Sequence, residues 1–311
     1  YSFRLPKELG VSRKQPTKQV TVVVPPSAQE DTPAVKAYLQ RLAEDTSKLK
    51  LIGLGKGVSI ELPIEQAYMP LQVAVNWNLR QQQHGRFDEK YFEERGRTAD
   101  CIQLGDLFKW AKRFGTRGVL LLGDPGAGKT TGARQFCWRM LKEPNLRQAL
   151  GLPDGGIPVL LRLRNLKPQQ LAQGIRSFVT ETLLANSLPT ELANPGPDLL
   201  VRTPVLWVFD GLDEVVSEEE RVQVCGWLSI MLEERPSDMF LVTSRYSGYQ
   251  GRVELGAGFS HFHVKPLNES QVAEFVERWY RTVYQRLRGP EAKFEETAKP
   301  EIESLLGMLQ Q

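Results

Sequence analysis

The sequence predicts a three-layer α/β domain built on a mostly parallel sheet, and two observations carry that expectation. After residue 100, Val119–Leu122, Ile157–Leu163, Val205–Phe209 and Phe240–Val242 are continuous apolar runs, the pattern of strands buried on both faces. Between them, near 128–142, 168–186 and 217–234, lie stretches with helical spacing. Strand and helix in alternation build βαβ units, whose parallel strands need covering on both sides.

The chain's 311 residues suit one large domain with a smaller appendage, or two domains. An apolar content of 41% with 26 glycines is that of a globular chain rather than a disordered one. Forty Lys and Arg against 37 Asp and Glu leave +3, too little to make the whole molecule an electrostatic binder of nucleic acid or anionic membrane. Cys101, Cys137 and Cys225 lie far apart with no C-x-x-C pair, which argues against a disulfide framework or a cysteine-built zinc site and for a reducing cytosol. No apolar run approaches the ~20 residues that span a bilayer, and no signal sequence opens the chain. A soluble, cytoplasmic protein is expected. The first residue is Tyr1 rather than Met, which points to a processed or excised segment.

Taken in order, residues 1–34 read as a tether. Between Gly10 and Pro33 the prolines Pro16, Pro25, Pro26 and Pro33 mix with Arg13, Lys14 and Lys18, and only Val20–Val24 suggests a short strand. Residues 35–100 form a lead-in. Val35, Leu39 and Leu42 share a helical face, Val58–Leu62 alternates like a strand, and Gln81–Arg86 reads as loop. The α/β pattern occupies 101–265. Within it, Ser217 followed by Glu220 is a capping-box spacing, and the acidic run Glu218–Glu220 suits the positive end of a helix dipole. Residues 266–311 begin a helical region. Asn268 with Gln271 repeats the start signal, and Val272, Phe275, Val276, Trp279, Tyr280 and Val283 follow as a core-facing stripe. Pro290 interrupts, and Ile302, Leu305, Leu306 and Leu309 open a second stripe that stops with the chain, so its packing partner is expected to be missing.

The chemistry starts at Gly123-Asp124-Pro125-Gly126-Ala127-Gly128-Lys129-Thr130, which satisfies the phosphate-loop pattern G-x4-G-K-[ST] directly after an apolar strand and before a helical stretch. Gly126 and Gly128 let the backbone turn closely round a phosphate and aim successive N–H groups at it. Lys129 adds a point charge, and Thr130 offers a hydroxyl to Mg²⁺. Thr131, next along, belongs to the same nucleotide-binding segment. The strand Val205–Phe209 then delivers Asp210 at its carboxyl end, the Walker B position that completes a metal shell. Asp213 and Glu214 follow within one turn, and either suits the orientation of an attacking water. Met239–Val242 ends in Thr243-Ser244-Arg245, on the sheet edge where ligands of open α/β sheets bind. Arg245 there is either a sensor of the γ-phosphate or a solvated loop cation. No NKxD-like element is present, which favours ATP over GTP. His261 and His263 alternate on one strand face without a third ligand, a structural pattern rather than a metal site. His84 has no interpretable context, and Cys137 reads as core packing.

Gly123–Thr130, Phe209-Asp210-Gly211-Leu212-Asp213-Glu214 and Thr243-Ser244-Arg245 together resemble the NACHT group of STAND signal-transduction ATPases, which includes NOD-like receptors and bacterial antiviral proteins. A glycine after the first carboxylate separates this group from ordinary AAA+ motors, which place the second carboxylate next to the first. The resemblance covers about residues 35–311. It implies an ASCE- or AAA+-like sheet with an additional strand between the phosphate-loop and Walker B strands, Lys129 on the phosphates, Thr130 and Asp210 on Mg²⁺, Asp213 or Glu214 for hydrolysis, Arg245 as sensor 1, and adenine contacts near Tyr68–Leu71. It also implies ATP and ADP as ligands, slow regulatory hydrolysis, oligomerisation on activation, and effector and sensing domains outside the chain. The end of the chain departs from the family by stopping before the winged-helix region that holds ADP in relatives. Two rival readings stand beside the switch: an AAA+-like motor on nucleic acid, against which the small net charge counts, and a scaffold stabilised by nucleotide with negligible turnover.

Overall fold

The computed structural model describes residues 32–52, 59–75, 101–143, 147, 151–152, 155–185, 194–202 and 204–288. The expected tether with its Val20–Val24 strand, the Gln81–Arg86 loop with His84, and the Ile302–Leu309 stripe lie outside these residues.

Nine strands are described: β1 (Lys48–Ile52), β2 (Ser59–Pro63), β3 (Gln72–Val75), β4 (Cys101–Gln103), β5 (Gly118–Leu122), β6 (Ile157–Arg162), β7 (Val205–Asp210), β8 (Met239–Ser244) and β9 (Phe259–Val264). Seven of them form one sheet in the order β4-β3-β9-β5-β8-β7-β6. The run from β9 to β6 is parallel throughout, while β3 pairs antiparallel with both β9 and β4. β8 thus separates β5 from β7, so the phosphate-loop and Walker B strands are not neighbours.

The four apolar runs are buried because both faces are covered. Leu120, Leu122, Trp207, Phe209, Phe240 and Val242 pack with Phe178, Val179, Leu183, Val224, Leu228 and Met231, and with Val35, Leu39 and Leu42 of the helix Pro33–Thr46. The alternate residues Val119, Leu121, Leu206, Val208 and Leu241 are equally buried on the other face. That face is closed by the helices Leu107–Arg113 and Lys129–Lys142, joined by the edge-to-face pair Phe108–Phe136. Helix, sheet and helix make the three layers expected of the α/β pattern.

Local signals explain the helix boundaries. Helix Glu218–Glu234 opens on Ser217, whose hydroxyl accepts from the Glu220 N–H while the Glu220 carboxylate accepts from the Ser217 N–H. The helix expected over 168–186 is two helices, Pro168–Gln173 and Ile175–Ala185. Gly174 between them sits at φ 87°, a conformation that ends a helix and that other residues adopt only with strain. The short antiparallel strands β3 and β4 carry too few residues for periodicity to reveal them.

The chain divides into two compact units. The larger holds the described parts of Val22–Ala43 and Pro70–Pro266, and hence the whole seven-stranded sheet; the smaller holds those of Glu44–Met69 and Leu267–Gln311. In the smaller unit β1 and β2 form an antiparallel hairpin, and helix Glu269–Arg288 contacts β2 and the short helix Ile64–Ala67. Asn268 and Gln271 exchange both capping bonds at its start, and Arg278 donates to the Tyr68 carbonyl. Its apolar stripe is less enclosed than the spacing suggests. Val276 is buried, whereas Phe275 is 37% exposed. Phe275 lies one residue before Val276 on the helix, which turns it about 100° towards the polar side.

Candidate nucleotide site at the carboxyl edge of the sheet

The turn from β5 into helix Lys129–Lys142 is shaped by its glycines. Gly126 and Gly128 stand at φ 79° and 87°, which side-chain-bearing residues avoid. A Cβ on Gly128 would also lie 3.2 Å from the Leu71 side chain, and one on Gly123 3.0 Å from Val264 Cβ. Leu71, just before β3, and Val264, at the end of β9, therefore press the loop from two sides. Asp124, Pro125 and Gly126 are exposed, Ala127 and Gly128 half-buried, and Thr131 lies half-buried in the first helical turn. The result is a helix N-terminus with free N–H groups at the mouth of a tight turn, the geometry that accepts phosphate.

Lys129 is buried to 9% exposure and its ammonium donates to the carbonyls of Gly123 (2.6 Å) and Asp124 (2.9 Å). Burial lowers its pKa from the ordinary lysine value, opposed by Asp213, Asp124 and Asp210 and reinforced by the Arg245 cation. The charges the sequence assigned to one site thus act on a single lysine.

Asp210 closes the far side. Thr130 Oγ1 donates to its Oδ1 at 3.0 Å, and Thr243 Oγ1 donates to the same oxygen at 2.7 Å while accepting the Gly211 N–H at 2.9 Å. Two stretches eighty positions apart in the chain therefore meet through one carboxylate. Among the described residues no donor reaches Asp210 Oδ2, and the Thr130 hydroxyl keeps lone pairs. This all-oxygen set suits Mg²⁺, which takes one or two protein oxygens and completes its shell with phosphate and water. No cluster of three His, Cys, Asp or Glu side chains that would hold a metal by itself occurs among the described residues.

Beyond Asp210 the chain turns through Gly211 at φ 84° into the single 3₁₀ turn Leu212–Glu214, which sends Asp213 and Glu214 in different directions. Asp213 Oδ1 accepts the Arg245 backbone N–H (2.9 Å) and Oδ2 pairs with the Arg245 guanidinium (3.0 Å). Glu214 is exposed, with its carboxylate folded over Gly211. Arg245 is neither free in solvent nor apart from the site. It sits at the end of β8, tied to one of the two carboxylates that follow Asp210.

Gly248, Tyr246 and Tyr249 escaped sequence reasoning, and the contacts of Thr243, His261, His263 and Cys137 go beyond what it could state. Thr243 is the hub that joins Asp210 to Gly211, and its only advance signal is a hydroxyl at the end of an apolar strand. Gly248 packs so tightly on Asp213 that a Cβ there would lie 2.2 Å from Asp213 Cβ. Tyr246 stacks on His263 (5.8 Å, 11°) and shares a 3.3 Å hydrogen bond with its Nδ1, and Tyr249 meets His261 Nε2 at 3.0 Å. Burial lowers the His261 and His263 pKa values to about 4 and about 3, so both rings are neutral and bonded to different tyrosines. Cys137 is fully buried and its thiol is pushed up to about 12. Of the stretch Tyr68–Leu71, Leu71 touches the loop through Gly128; Tyr68 belongs to the smaller unit.

The profile of the NACHT domain matches residues 117–282, more than half of the chain. No curated protein sequence gives a match. Among solved structures, the chain is similar to the Aeropyrum pernix ORC1 protein in complex with DNA, at 16% identity and TM-score 0.35 over 67% of this chain and 54% of that one. It is likewise similar to PCH-2 of C. elegans, at 13% identity and TM-score 0.32 over 70% and 55%. The chain thus spans about half the length of the solved chains it matches. Among the described residues no helix is long and apolar enough to cross a membrane.

Proposed function

Because the chain belongs to the NACHT domain family, we propose that it is an ATP- and ADP-binding switch with slow hydrolysis, of the STAND type and close to its bacterial members. In this reading residues 101–265 bind the nucleotide, 35–100 lead into that domain and 266–311 begin a helical domain. Exchange between ADP and ATP forms governs assembly of copies of the chain and activates an effector carried outside it, in the cytoplasm and in innate or antiphage defence. A nucleotide drives such a switch only through different affinities for the two conformations.

The observation that carries this reading is the bond between Thr130 and Asp210. Thr130, at the end of the glycine-rich loop, and Asp210, at the end of β7, lie within hydrogen-bond distance, which supports reading their oxygens as one Mg²⁺ site. Gly123–Thr131 would hold the phosphates, through the backbone N–H groups of every residue but Pro125, which has none. Lys129, already stripped of much of its water, would exchange two loop carbonyls for phosphate oxygens. Thr130 and Asp210 would hold Mg²⁺, which when bound neutralises charge on the phosphates. Asp213 or Glu214 would orient the attacking water, and Arg245 lies on the same edge as a further cation.

Lys129→Ala tests the reading. Loss of a charge-assisted contact predicts an affinity for ATP and ADP lower by about 10–100-fold, measured by titration calorimetry on a variant whose circular dichroism is unchanged. Wild-type affinity in that variant would contradict the assignment.

A further inference from the structure

The site holds one ion pair between two groups that the sequence assigned to separate jobs. Asp213 came from the end of β7 as a carboxylate for hydrolysis, and Arg245 from the end of β8 as a cation for the terminal phosphate. In the fold they face each other. Resting on the nucleotide-switch reading above, we infer that Asp213 is a positioning residue that competes with the terminal phosphate of ATP for Arg245, and so sets how strongly the site distinguishes ATP from ADP.

Three features support this. First, Asp213 is held independently of the guanidinium. Its Oδ1 accepts the Arg245 backbone N–H at 2.9 Å, and Gly248 lies so close that a Cβ there would come within 2.5 Å of Asp213 Cα. The carboxylate therefore stays aimed when the guanidinium leaves. Second, the pair is asymmetric: the Asp213 side chain is 11% exposed and that of Arg245 48%. The anion is enclosed, and the cation is the partner open to water. A pair open to water on one side contributes little net stability, and a phosphate with several acceptor oxygens binds a guanidinium more strongly than a single ion pair does. Third, Asp213 and Arg245 both act on Lys129, which places the pair beside the charge that would meet the phosphates.

In this arrangement ATP and ADP are told apart at one side chain. ADP lacks the group that would draw Arg245 away, so Arg245 remains on Asp213. ATP supplies that group. The stronger the hold of Asp213, the smaller the advantage of ATP over ADP.

The experiment measures the ratio of ADP to ATPγS dissociation constants in the presence of Mg²⁺ for the wild-type chain, Asp213→Asn, Arg245→Ala and the double variant. Asn at 213 is isosteric and keeps the carbonyl that receives the Arg245 N–H. The expected result is a ratio raised about two- to fivefold in favour of ATPγS in Asp213→Asn, the size of a partly exposed ion pair. It is lowered in Arg245→Ala, and in that background Asp213→Asn has no further effect, because the competitor has nothing left to hold. An unchanged or lowered ratio in Asp213→Asn overturns the inference while leaving the nucleotide site intact. So does a shift in the ratio that persists without Arg245. A wild-type chain that binds neither nucleotide removes the underlying reading as well, and the two failures are thereby told apart.

Discussion

A buried aspartate stands at each end of strand β7, Asp210 from the strand itself and Asp238 from the residue that precedes β8, and the two are used in opposite ways. At the start of β7 Asp238, fully buried, accepts the Val205 N–H on Oδ1 (3.0 Å) and the Trp207 indole N–H on Oδ2 (2.7 Å). Arg235 pairs with Oδ2 and also donates to the carbonyls of Leu200 and Arg202, with its guanidinium 5.3 Å over the Trp207 ring. At the other end Asp210 is nearly as buried, yet only hydroxyls bond to it, and both reach the same oxygen. N–H donors fixed by backbone and ring planes saturate a carboxylate and hold a fold. Hydroxyls that rotate, with one oxygen left over, leave a carboxylate able to share a cation. Burial alone does not separate the two aspartates; the kind of donor does.

The largest expected effect tests the structural end. Asp238→Ala leaves Arg235 and two N–H groups without their acceptor, and breaking a buried pair in this way costs about 3–5 kcal/mol. Denaturant unfolding should show that loss, while nucleotide affinity per folded molecule stays as in the wild type. A smaller change, under about 1 kcal/mol, would mean that the two ends of β7 do not differ as described.

Asp210→Asn sharpens the contrast from the other side. The amide oxygen still accepts from Thr130 and Thr243, so stability should move by less than about 1 kcal/mol. The charge that would serve Mg²⁺ in the proposed site is lost, and the gain in ATP affinity on adding Mg²⁺ should shrink by about tenfold or more. Calorimetric titrations with and without Mg²⁺ read this directly.

A smaller effect concerns pH. Burial depresses the folded-state pKa values of His261 and His263 to about 4 and about 3, below the ordinary value near 6.5. The unfolded chain binds these protons first, so the histidines' contribution is complete above about pH 6.5 and is lost as pH falls towards 4. Each contributes a slope of at most about 1.4 kcal/mol per pH unit in that window. Replacing His263 by Phe should remove its share of the slope without moving the midpoint at pH 8 by a comparable amount. A pH dependence identical to the wild type would show that the ring titrates normally.

The NACHT assignment and the apolar strands were legible in the sequence because each rests on adjacent residues. The loop Gly123–Thr130 needs specific types in succession, β5 and β7 are uninterrupted apolar runs, and Ser217 with Glu220 forms a cap three residues apart. The Asp213–Arg245 pair and the hub at Thr243 were not legible. Both depend on β7 and β8 being neighbours; the family resemblance implies a strand inserted between the phosphate-loop and Walker B strands, but not which side chains meet at the strand ends. The break at Gly174 stood between these cases: the glycine was visible, but a glycine inside a helical stretch is tolerated often enough that only its positive φ decides the matter.

By itself the sequence determined the long strands of the parallel sheet, most of the helices that cover it and the tight glycine turn after β5, since backbone sterics, periodicity and glycine freedom act over a few residues. Only the tertiary structure decided which side chains share a site. Sheet order sets strand ends 5 Å or so apart whatever their separation along the chain, and it is this packing that gave Asp210 two hydroxyls, Asp213 a guanidinium and Asp238 an indole.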